Sequence, residues 1–72
     1  MEREISELEI KLFETLEKID MQEEFVSGVT EDCCDDEGRL EMLKFLKKNP
    51  TATKGIIIVK ALMIKQKKEY HG

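Results

Sequence analysis

The sequence has little of what a β-sheet, a metal site or an active site requires. It holds a single proline and no tryptophan, and aromatic residues make up only 6% of its 72 positions, against 39% charged residues. That balance suits helices better than strands. The one histidine, His71, is the penultimate residue. Nucleophilic catalysis needs a Cys or Ser beside a base held by a third group, and no such set is present. A glycine-rich phosphate loop is also absent. The sequence therefore points away from an enzyme and implies no cofactor. No apolar run approaches the ~20 residues that span a bilayer. The opening stretch MEREISELEI is acidic and lacks the apolar core of a leader. A cytoplasmic location without a membrane partner is expected. The two cysteines, Cys33 and Cys34, are neighbours. A bridge between adjacent residues is strained, so reduced thiols are expected, as in the cytosol.

Metal sites fail on ligand spacing. Calcium loops place oxygen ligands at fixed positions around a glycine at the sixth. With Gly38 there, Asp35, Glu37 and Leu40 fit the third, fifth and eighth positions, but Cys33 and Lys44 occupy the first and twelfth. Zinc wants four Cys, His or carboxylate ligands in spaced pairs. Cys33, Cys34 and His71 do not supply them, and no metal is expected.

What is present is GIIIVKALMI, Gly55 to Ile64, with seven large apolar side chains, one alanine and one charge, Lys60. The fold is expected to form around this segment. With apolar content of 40% and net charge −4, the chain is too apolar to be disordered. At this length it buries only about 60–65% of its unfolded surface, so a second copy or a partner would add needed stability.

The spacing predicts an all-α domain of three helices over residues 1–72. Ile5, Leu8, Leu12, Leu16 and Ile19 recur every three or four residues, which predicts a long acidic helix over about 3–25. Glu7–Lys11 and Glu14–Lys18 stand at the spacing that supports such a helix. A second apolar line, Ile10, Met21 and Phe25, runs on its far side. An acidic loop is expected over 27–35, its Ser, Thr and Asp residues competing with helical hydrogen bonds. A second helix follows over about 36–48, capped by Asp35 or Asp36, with Leu40, Leu43 and Leu46 inward and Asn49-Pro50 ending it. The third runs over about 52–69 from a Thr51 or Thr53 cap. Its β-branched run Ile56–Val59 would suit a strand, but KALMIKQKKE continues it with helix formers and no second strand is available. Its apolar residues point nearly all round, which predicts a buried central helix.

Charge is divided by halves. Residues 1–38 carry fourteen acids and three bases, or −11; residues 39–72 carry nine bases and two acids, or +7; together these give −4. Such asymmetry arises when one half packs on the other, within a chain or between two, or when a basic surface meets a polyanion. The third helix is basic and apolar, as interfacial helices often are. Its lysines are not gathered on one face, however: Lys54, Lys65 and Lys68 lie opposite Lys60 and Lys67.

The stretch LEMLKFLKKNPTATKGIIIVKALMI, residues 40–64, resembles the first two helices of helix-turn-helix and winged-helix DNA-binding domains. The resemblance rests on Asn49-Pro50-Thr51-Ala52-Thr53 after an amphipathic helix and on Ala61-Leu62-Met63-Ile64 after the next. Met63 stands where that family has a turn glycine, and only KQKKEYHG follows. The resemblance implies DNA contact by Lys65, Gln66, Lys67 and Lys68, with lysines serving phosphates rather than bases.

The leading expectation is a non-enzymatic interaction module, a homodimer or the partner of another helical protein. Its contact residues would be the surplus apolar ones: Ile10, Met21, Phe25, and Ile57, Ala61 and Ile64 on the uncovered side of the third helix.

Overall fold

The computed structural model describes residues 6–69 and contains four helices: α1 (Glu7–Ile19), α2 (Glu23–Asp32), α3 (Asp36–Lys48) and α4 (Lys54–Glu69). No strand occurs among the described residues. Ile5, the expected helix start at residue 3, and His71 lie outside them.

The class is all-α, but the helices number four rather than three. The helix expected over 3–25 is broken at Asp20, which takes an extended conformation (φ −156°, ψ 125°). No glycine or proline forces this. Asp20 Oδ1 accepts the Gln22 N–H at 2.9 Å, the local competition for backbone donors that makes Asp a weak helix former. Lys54 fixes the competitor from the start of α4. Its Nζ donates to Asp20 Oδ2 at 3.0 Å and to Gln22 Oε1 at 3.2 Å, and it lies over the Phe25 ring.

The loop expected over 27–35 is also mostly helix. Val26, Val29 and Thr30 are buried, and the Thr30 hydroxyl donates to the Val26 carbonyl at 2.7 Å. Burial of this face outweighs the weak helix propensity of the Ser, Gly and Thr residues. The turn proper is short. The Asp35 N–H donates to the Cys33 carbonyl at 2.8 Å, closing a γ-turn over Cys34, whose φ is 72°.

The remaining boundaries follow local signals. Ser6 caps α1 by accepting the Glu9 N–H at 3.1 Å, and Asp35 caps α3 by accepting the Gly38 N–H at 2.9 Å. Asn49 ends α3, its N–H donating to the Phe45 carbonyl, before Pro50. Thr53 Oγ1 accepts the Ile56 N–H at 3.4 Å at the start of α4.

α1 packs on α2 and α3, and α4 packs on the same two helices, so α1 and α4 lie diagonally across the bundle. The core holds Leu12 and Leu16 of α1, Phe25, Val26 and Val29 of α2, Met42 and Leu46 of α3, Ile57, Ala61 and Ile64 of α4, and Cys33 from the turn. On α3 the buried line runs through Met42 and Leu46, while Leu40 is exposed and Leu43 half-buried. Ile19, expected to be inward, is exposed as well. At Gly38 the turn and α4 both pack closely against α3. A Cβ there would sit 2.0 Å from the Cys33 carbonyl oxygen and 3.0 Å from Ile64 Cγ2.

The acidic and basic halves meet inside one chain. Arg39 bridges to Asp36 at 2.9 Å and to Glu9 at 3.5 Å, Lys54 to Asp20, and Lys68 to Asp35 at 3.3 Å and Glu37 at 3.2 Å.

Candidate interaction surface

α4 is not wrapped by its neighbours. Only the Ile57, Ala61 and Ile64 line faces inward. The reason lies in the bundle: α2 and α3 flank α4 and α1 is diagonal to it, so no described element covers its back. That back carries Ile56, Ile58, Val59, Leu62 and Met63, each between 38% and 58% exposed. At 3.6 residues per turn the five occupy an arc of about 160°. Gly55 and Gln66 share the arc, and nothing lies within 4 Å of where a Gly55 Cβ would stand. Single exposed apolar residues are ordinary, but a contiguous apolar face on a small protein marks an interaction site.

Lysines rim this face on both edges. Lys65 flanks Ile58 and reaches Asp32 of α2 at 3.8 Å. Lys60 and Lys67 flank Ile56 and converge on Glu41 of α3, at 3.1 Å and 3.8 Å. The hydrogen bond from Lys60 holds the Glu41 carboxyl below its ordinary pKa. Lys68 is half-buried beside α3; desolvation pulls its pKa down, but the hydrogen bonds it donates to Glu37 and Asp35 leave it above its ordinary value.

The expected contact residues divide between core and surface. Ile57, Ala61 and Ile64 are 0–1% exposed and belong to the monomer core. The uncovered side of α4 is the opposite one. Phe25 is also core, under Lys54. Ile10 and Met21 are on the surface at 47% and 82% exposure. Ile10 and Phe13 floor a groove of about 470 Å³ between α1 and α2, which Glu9, Glu14, Ser27, Thr30 and Glu31 complete. A second groove, between α1 and α3, is lined by Leu8, Leu40 and Leu43 with Lys11, Lys44 and Lys47 at its edge.

No family model, curated protein or solved structure matches the chain.

The helix-turn-helix resemblance places a turn at Met63. α4 passes through Met63 unbroken to Glu69, so the described residues contain no separate recognition helix. Lys65, Lys67 and Lys68 each sit beside a carboxylate of their own chain; Gln66 lies on the apolar arc. No group of three His, Cys, Asp or Glu side chains among the described residues is placed to hold a metal ion. Among them, too, no helix is long and apolar enough to cross a membrane.

Two of these features have local signals in the sequence. Ser6-x-x-Glu9 is the residue pattern of a helix start, and Asp20 in the middle of a helical pattern is a natural site for a break. The exposed back of α4 had no comparable signal.

Proposed function

We propose that the protein is a non-enzymatic interaction module that associates with a second copy of itself through the outward face of α4. The observation that carries this is the exposed arc of Ile56, Ile58, Val59, Leu62 and Met63, in which Gln66 is the one polar side chain. The described fold offers no element to cover it.

The expected affinity follows from burial. Covering a half-exposed Val, Leu, Ile or Met is worth about 1 kcal/mol, so one face contributes about 5 kcal/mol. A comparable apolar surface on the second copy brings the gross gain to about 10 kcal/mol. Association costs at least about 4 kcal/mol in lost freedom of motion. The remainder, at most about 6 kcal/mol, corresponds to a dissociation constant of tens of micromolar.

Light scattering from 5 to 500 micromolar protein, roughly the span this affinity requires, tests the reading. The mass should rise above one chain within that range. Leu62→Glu should hold the protein at one chain with unchanged helical circular dichroism, because Leu62 is half exposed and not part of the buried core. A wild-type protein monomeric throughout would overturn the proposal. So would a Leu62→Glu variant that associates as wild type does.

A further inference from the structure

We infer that the surface receiving the α4 face is the α1/α2 groove of the second copy, so that the contact joins two different surfaces head to tail. This rests on the reading of α4 above and adds its partner surface. The α1/α3 and α1/α2 grooves differ in charge. The α1/α3 groove is edged by Lys11, Lys44 and Lys47. The lysines that rim α4 would meet like charge there. The α1/α2 groove is lined by Ile10 and Phe13 and has the exposed Glu14 and Glu31 at its edge. Glu14 and Glu31 are exposed and make no ion pair among the described residues. Lys65 and Lys67 across the contact have the longest ion pairs among the described residues, both 3.8 Å, and exchange them at little cost. A convex apolar helix edged with lysines thus meets a concave apolar groove edged with glutamates.

The alternative, two α4 faces packed on one another, sets lysine rims of both copies side by side. Because α1 and α4 are diagonal in the bundle, one chain cannot fill its own groove with its own α4. A head-to-tail contact does not close at two copies unless the rotation makes a ring.

Two full-length variants, each with one surface spoiled, test this. One carries Glu14→Lys with Glu31→Lys in the groove; the other carries Leu62→Glu on the face. Each alone should remain at one-chain mass at concentrations where wild type associates. An equimolar mixture should give a two-chain species and nothing larger, because one good face and one good groove remain. Wild type should instead grow past two chains. If the groove variant associates as well as wild type, the head-to-tail contact is wrong, while the α4 face stands as the interface. A mixture that stays at one-chain mass overturns it equally. A monomeric wild type removes both proposals. Ile10→Glu replaces the double variant if circular dichroism shows that the latter loses helix.

Discussion

Gly38→Ala is the substitution whose outcome the packing fixes most sharply, because two effects oppose each other. Gly38 lies in the first turn of α3, where alanine is favoured over glycine by about 1 kcal/mol. Against this, the added methyl would stand 2.0 Å from the Cys33 carbonyl oxygen, 3.0 Å from the Cys33 carbonyl carbon and 3.0 Å from Ile64 Cγ2. The nearest atom is backbone, and it is held in place. The Cys33 carbonyl accepts the Asp35 N–H across a residue at φ 72°, and Ile64 is 1% exposed in the core. Relief therefore requires α3 to move away from the turn and from α4 together. Overpacking of a filled site costs about 1–3 kcal/mol, and more when backbone must shift. Set against the gain in propensity, the net loss is about 2 kcal/mol. Urea unfolding followed by helical circular dichroism measures it. With a slope near 1 kcal/mol per molar for so small a protein, the midpoint should fall by about 2 M. Gly28→Ala is the control. Its Cβ would meet nothing within 4 Å in the middle of α2, so it should gain about 0.5–1 kcal/mol. Equal or higher stability for Gly38→Ala would refute the argument, since helix propensity would then outweigh a contact that the packing says cannot be accommodated.

Acid should unfold the protein through its carboxylates. Asp20 is held below its ordinary pKa by the Gln22 N–H and Lys54, Asp35 by the Gly38 N–H and Lys68, Asp36 by the Ser6 hydroxyl and Arg39, and Glu41 by Lys60. All four bind protons more weakly folded than unfolded. Their contribution is complete above the unfolded values of 3.8 to 4.5 and is lost as pH falls through the lower folded ones. Thermal midpoints should thus be level near neutrality and drop below about pH 4.5; midpoints that rise there would contradict these pairings. The thiols should separate: burial pushes the Cys33 pKa up to about 12, whereas Cys34 is exposed. Intact-mass analysis with N-ethylmaleimide should show one fast adduct, with the second appearing only in denaturant; two fast adducts would place Cys33 outside the core. Asp20→Ala removes the acceptor of both the Gln22 N–H and Lys54, and should lower the thermal midpoint by opening the α1–α2 corner. An unchanged midpoint would show that the corner is set elsewhere.

What the sequence determined by itself was local. Asp35, Asn49-Pro50 and Thr53 mark the ends of α3 and the start of α4 because caps and proline act within a few residues of where they stand. The spacing of Leu12 and Leu16 assigned α1 its buried side for a similar reason. The tertiary structure decided the rest. The break between α1 and α2 has a local signal in Asp20, but the Lys54 contact that fixes it comes from thirty-four residues away, and no short window along the chain contains both. Residues 27–32 are helical because Val29 and Thr30 are buried in the bundle, which overrides their own preferences. The candidate site was the least legible part. α4 is apolar on nearly every side, so periodicity shows no contrast by which to tell inside from outside. Sequence reasoning placed Ile57, Ala61 and Ile64 on the exposed side, and packing against α2 and α3 buried them instead. Only the position of α4, flanked by two helices and diagonal to the third, left Ile56, Val59 and Met63 facing outward, where a second chain can reach them.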